Sequence, residues 1–196
     1  MPKRKTTIAL IVCAASLSNF LQPAYSQTTH LSDAQQSALK SLGIPVAVPS
    51  YIPEGFRVTQ MSLKLCAADA PRIGDCREGS SYEIRYRNDK NACFNFYAIA
   101  GGVGGGYGEF AYRSQTQTLG KVIIEFGQLN GANKTPTPEQ LRVPQPKLGS
   151  FPARLESPRT PYYSLQVEEE QYFCVKNTTI TPLAIEKMLN SLVWLQ

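Results

Sequence analysis

Two short runs constrain this chain more than any other feature. Residues 81–87 read SYEIRYR and residues 93–99 read CFNFYAI, each alternating large apolar side chains with polar ones. Such alternation is the mark of a strand with one buried face. Burying Tyr82, Ile84 and Tyr86 together with Phe94, Phe96 and Ala98 requires an antiparallel pair with Tyr86 opposite Phe94. A slip of one residue would set Arg85 against Phe94 and carry charge into the core. The favoured register places Arg87 opposite Cys93, Arg85 opposite Asn95 and Glu83 opposite Tyr97 on the other face.

Further strands are expected near residues 55–65, 109–114, 121–126, 162–168 and 171–176. Helices are expected at both ends. Ser32 followed by Gln35 forms a capping box, Leu31, Ala34, Ala38, Leu39 and Leu42 share a stripe, and Gly43 supplies the stop, so a helix spans about 32–42. Thr181 can cap a second helix over about 182–193, with Pro182 at its first position and Ile185, Met188, Leu189 and Leu192 at helical spacing. Trp194 would help to seal it. The expected fold is α+β: one curved antiparallel sheet of about six to seven strands, with the two helices packed on one face.

The start of the chain reads as an export signal. Lys3, Arg4 and Lys5 precede an apolar stretch and then Ala24 and Ser26, small residues at the minus-three and minus-one positions of a cleavage site. Residues 1–26 are read as this signal, and residues 27–196 as a single domain. The apolar stretch of about ten residues falls short of the roughly 20 that cross a bilayer. Val12 before Cys13 is too bulky for a lipoprotein signal. Without the three leader cations, 17 basic side chains face the 15 acidic ones, so the net charge of +5 gives no support to nucleic-acid binding.

Export gives the remaining cysteines their meaning. Cys66, Cys76, Cys93 and Cys174 are an even set, as expected of two disulfides in an oxidising compartment. Their spacing lacks the close Cys pairs of a zinc site, so no metal is assigned. Sequence permits three pairings. A Cys66–Cys76 bridge would pin a loop containing Pro71 and Gly74. If Phe173 and Val175 point inward, Cys174 turns to the same outer side as Cys93, which favours Cys93–Cys174.

Two segments look irregular. Residues 100–108 (AGGVGGGYG) lack the Gly-Lys-Ser/Thr ending of a phosphate loop and read as a strand connection. Residues 128–161 hold seven of the 14 prolines and read as a long surface excursion, with a short strand within 148–155.

The chain has one histidine, His30, at the proposed mature terminus, which removes imidazole triads and histidine-ligated metals. Glu168, Glu169 and Glu170 read as a solvated hairpin tip, because consecutive carboxylates do not converge on one ion. Asn133 and Asn177 each begin an Asn-x-Thr glycosylation acceptor, relevant only in a eukaryotic secretory pathway. Arg85, Arg87, Asn95, Tyr97 and Tyr172 form the candidate binding face, a mixture of guanidinium donors and aromatic rings suited to carboxylate-bearing or sugar-like ligands. An ordinary wet sheet face is the competing reading.

Residues 48–56 (VPSYIPEGF), the strands that follow, and the closing helix ending in Asn190, Ser191 and Leu192 resemble an uncharacterised extracytoplasmic domain. That domain occurs in bacterial sporulation lipoproteins and in the outer regions of anti-sigma factors. The resemblance covers about residues 44–195. It implies a curved antiparallel sheet embracing helices, as in the lipoprotein-carrier superfamily, and it assigns no catalytic residue. The four mature cysteines and the proline-rich segment depart from it.

The expectation is an exported bacterial protein, periplasmic or secreted, with no cofactor and no transmembrane segment after signal removal. Its leading role is a non-enzymatic binding or interaction module for an unknown protein or small ligand. A carrier of an apolar molecule is the alternative, and a histidine-free enzyme the third.

Overall fold

The computed structural model describes residues 30–67, 69–71, 73–77, 79–100, 108–152, 161–168 and 173–195. The expected leader, Tyr172 and most of the glycine-rich stretch lie outside these residues.

Local chemistry sets the first helix, α1 (Asp33–Lys40). The Ser32 hydroxyl accepts the Gln35 N–H, and the Gln35 side chain accepts the Ser32 N–H at 2.9 Å, so two orphan donors are satisfied reciprocally. A short strand, β1 (Ala47–Pro49), and the long β2 (Arg57–Lys64) follow. β3 (Ser81–Arg87) and β4 (Cys93–Ala100) form the hairpin anticipated from the alternation. Tyr86 lies opposite Phe94, Arg85 opposite Asn95, Glu83 opposite Tyr97 and Arg87 opposite Cys93. The Asn88 carboxamide fixes the connecting turn by accepting the Lys90 and Ala92 N–H groups.

β5 (Phe110–Thr116) and β6 (Gly120–Phe126) make a second hairpin. Its turn is tied by Thr116, whose hydroxyl accepts the Leu119 N–H and donates to the Gly120 carbonyl. The proline-rich segment then forms a one-turn helix, α2 (Pro138–Arg142), and a strand, β7 (Gly149–Pro152). β8 (Pro161–Glu168), α3 (Pro182–Asn190) and β9 (Leu192–Trp194) complete the order.

The sheet is antiparallel and seven-stranded, in the order β2-β3-β4-β8-β7-β6-β5. β7 lies between β6 and β8, so part of the expected surface excursion is interior sheet. β1 and β9 form a separate antiparallel ribbon with Val48 opposite Val193. The second helix is therefore shorter than its periodicity suggests: it stops at Asn190 and the chain extends to pair with β1. The strand expected at 171–176 is absent from its described part, which is irregular from Cys174 to Asn177.

One sheet face carries the core. Tyr82, Ile84, Tyr86, Phe94, Phe96, Ala98, Val122, Ile124, Phe126, Tyr163 and Leu165 join Leu39 of α1 and Ile185, Met188 and Leu189 of α3 in one buried cluster. Tyr86 and Phe94 stack with ring centroids 4.6 Å apart, and Phe56 closes on Phe94 at 5.3 Å. Two buried tyrosines dock the ribbon. The Tyr82 hydroxyl donates to the Ala47 carbonyl at 2.6 Å and accepts the Ala47 N–H at 3.1 Å, while Tyr163 donates to the Pro45 carbonyl at 2.7 Å.

Both disulfides are those favoured above, Cys66–Cys76 and Cys93–Cys174. The geometric premise for the second is reversed, however. Cys174 and Cys93 are buried, whereas Phe173 is 93% exposed and Val175 also faces out. Phe173 has a φ of 63°, which turns its ring away and sets Cys174 over the sheet. The Val175 N–H donates to the Asn91 carbonyl beside the bridge.

No helix among the described residues is long and apolar enough to cross a membrane.

Candidate functional site

The face opposite the core is built on a cross-strand row. Register sets Gln60 of β2 beside Arg85 of β3, Arg85 beside Asn95 of β4, and Asn95 beside Gln166 of β8. The row continues through Gly149 of β7 to Glu125 of β6. Arg85 is the hub, only 2% exposed. Its Nε donates to Asn95 Oδ1 at 3.1 Å, Nη1 to Gln60 Oε1 at 2.6 Å, and Nη2 to Glu83 Oε1 at 2.9 Å. Burying a guanidinium is costly unless it is paired and hydrogen-bonded, and these three acceptors provide both conditions. Arg85 is thus a positioning group whose nitrogens are turned into the sheet.

Asn95 is buried with Arg85, and Tyr97 is half-buried. Tyr97 accepts a hydrogen bond at 2.7 Å from Nε2 of the exposed Gln166. Arg87 sits at the Cys93 end of the same face. Four of the five residues anticipated from sequence therefore share this face, and Tyr172 lies outside the described residues. Gln60, Gln166 and Glu125 were not anticipated. Gln166 and Glu125 follow from strand parity once the partners are known. Gln60 depends on a bulge: Val58 pairs with Tyr86 and Gln60 with Arg85, leaving Thr59 as the extra residue. Its trace in the sequence is the three-residue step from Val58 to Met61 within an otherwise alternating run.

Carboxylates and phenols meet at two places. On the polar face Glu125 is buried and its Oε2 accepts the Gly108 N–H at 3.1 Å. Burial pushes its carboxyl above the ordinary value, and the Gly108 bond opposes that shift. Burial first, and then the Tyr97 and Glu125 side chains, push the Tyr162 phenol well up. On the core face Ser114 donates to Glu186, and Tyr112 donates to the Pro182 carbonyl at 3.2 Å. Burial first, then Glu186, raises the Tyr112 phenol. Both phenols are therefore neutral near pH 7, where they serve as hydrogen-bonding groups.

Among the described residues no three His, Cys, Asp or Glu side chains gather in a way that could hold a metal ion. His30 is exposed. The two glycosylation acceptors differ sharply. Asn133 is exposed, whereas Asn177 is buried and its Nδ2 donates to the Gln145 and Ile180 carbonyls at 3.0 and 2.7 Å. Its Oδ1 accepts the Thr179 and Ile180 N–H groups, so Asn177 ties the approach to α3 together.

No family model, curated protein or solved structure matches the chain.

Proposed function

We propose that this is an exported, non-enzymatic binding or interaction module whose working surface is the polar sheet face around Arg85. The observation that carries the reading is the preorganised row. A buried guanidinium holds Gln60, Glu83 and Asn95 in fixed orientations, with Tyr97 and Gln166 alongside. Holding polar groups in place before a ligand arrives lowers the ordering cost of binding. Two disulfides support residence in an oxidising compartment, outside the cytoplasm, and agree with the export signal read in residues 1–26. The finer architecture proposed is a curved sheet with its terminal helices on the core face, as the resemblance implies.

The carrier reading is weaker because aromatic rings occupy the space it needs. Phe94 and Phe96 are fully buried, and Phe96 stacks on Tyr163 and tilts against Tyr82.

The test is comparative crosslinking of the disulfide-bonded protein and its Tyr97→Ala variant in extracellular extract of the producing cells. A species crosslinked to the wild type and lost from the variant supports the reading. Identical profiles from both proteins overturn it.

A further inference from the structure

Resting on the binding-face reading, the chemistry of the row selects a ligand class. A guanidinium on a sheet face usually invites a carboxylate or phosphate. Here its nitrogens point into the sheet and are taken by Asn95, Gln60 and Glu83. What remains for a ligand is set by those bonds. Gln60 spends its carbonyl on Arg85, so its amide N–H groups are left to donate. Glu83 spends Oε1, so Oε2 is left to accept. Gln166 gives Nε2 to Tyr97, so its carbonyl oxygen is left to accept. Among the described residues none of these three side chains has another partner.

The face therefore shows one donor, Gln60, and two acceptors, Glu83 and Gln166, beside the half-buried Tyr97 ring. The Arg85 and Glu83 charges cancel. An anion approaching this row meets a carboxylate oxygen and an amide oxygen, while Arg85 is turned into the sheet and Arg87 lies one row off, at the Cys93 end. A hydroxyl both donates and accepts, so a chain of hydroxyls can answer each of these groups in turn. The row from β2 to β8 crosses three strand spacings, roughly 14 Å, the length of two or three pyranose rings.

We infer that this row binds a neutral polyhydroxylated chain, an oligosaccharide lying across β2, β3, β4 and β8, and discriminates against acidic ligands. Gln60 and Gln166 are the specificity groups at its two ends, and Arg85 is the positioning residue beneath them.

The disulfide-intact protein is titrated with cellotriose, maltotriose and N-acetylchitotriose, and with trigalacturonate as an acidic chain of similar length. Side-chain amide resonances of Gln60 and Gln166 report the site. The expected result is that a neutral trisaccharide shifts both amide pairs with a Kd near 1 mM, independent of salt. Gln60→Ala and Gln166→Ala, both on exposed side chains, should each weaken it about tenfold, the loss of roughly one hydrogen bond. If none of the three neutral chains shifts either amide at about 10 mM, tenfold above a millimolar Kd, the inference is overturned. Tighter binding of trigalacturonate through the same resonances also overturns it, yet upholds the binding face. The binding face itself fails only if Tyr97→Ala leaves the crosslinked species unchanged, a separate readout.

Discussion

At the scale of single residues, Glu125 shows how burial and a hydrogen bond compete. Its carboxyl is desolvated, which favours the protonated acid, and a single N–H from Gly108 favours the anion. Desolvation is larger, so the folded state binds the proton more tightly than the unfolded chain does. The protein is then helped below the ordinary carboxylate value of about 4.3, and that help is lost as pH rises through the raised native value. Glu125→Gln removes the charge and keeps an acceptor for Gly108. It should raise the Tm at pH 7 and leave it nearly unchanged at pH 3, as thermal unfolding at the two values would show. Gly108 admits no side chain, because a Cβ there would meet the Phe126 carbonyl oxygen at 2.8 Å. Asn177 is the opposite case, a buried amide with donors and acceptors both used. Asn177→Ala should cost about 2–4 kcal/mol in urea unfolding, through unmet backbone groups. A glycan on Nδ2 would disrupt the same contacts.

Elements differ in how much of them the sequence discloses. The β3–β4 hairpin was legible to the residue because apolar alternation on both strands admits one register that keeps Arg85 out of the core. β2 was legible as a strand but not in its facing, since the bulge at Thr59 moves Gln60 onto the polar face through a three-residue step that alternation alone does not explain. β9 was hidden because Leu192 continues the helical stripe of α3, and only the tertiary partner β1 draws it into extension. β7 was legible as a short strand within 148–155, but its place inside the sheet was not, because four residues amid prolines take their neighbours β6 and β8 only from the tertiary fold. The Cys93–Cys174 pairing was reached through a wrong orientation of Phe173, because a positive φ at a phenylalanine has no sequence signal. The two bridges close loops of very different length, with sequence separations of 10 and 81. The chain-entropy argument gives about 2.7 kcal/mol for the short bridge and about 4.5 kcal/mol for the long one. Paired Cys→Ala substitutions should therefore cost about 2 kcal/mol more at Cys93–Cys174 than at Cys66–Cys76, measured as the difference in unfolding free energy in urea. Equal losses would show that the reduced chain keeps these ends together without the bridge.

Across the whole molecule the sheet serves two sides with different chemistry, and the ribbon of β1 and β9 is the part that couples distant chain segments. It joins residues near position 47 to residues near position 194, and its attachment to the sheet passes through the Tyr82 and Tyr163 hydroxyls. Trp194 reports on this attachment because its ring lies edge-on to Tyr163 at 5.7 Å. Tyr82→Phe preserves the ring and its contact with Phe96, but it leaves the Ala47 carbonyl and N–H facing the core without the hydroxyl that satisfied both. A buried backbone group left unpaired costs about 1–3 kcal/mol. The penalty falls on the ribbon, since the seven-stranded sheet keeps its own ladder. Tyr82→Phe should speed amide exchange at Ala47 about tenfold or more while Phe94 and Phe96 exchange only as the global stability changes. Tyr163→Phe, which removes a single donated hydrogen bond where Tyr82→Phe removes one donated and one accepted, should have the smaller effect. If Ala47 and Phe96 lose protection by the same factor in both variants, the ribbon and the sheet unfold as one unit. The tyrosine hydroxyls would then stabilise the whole molecule and not a separable element of it.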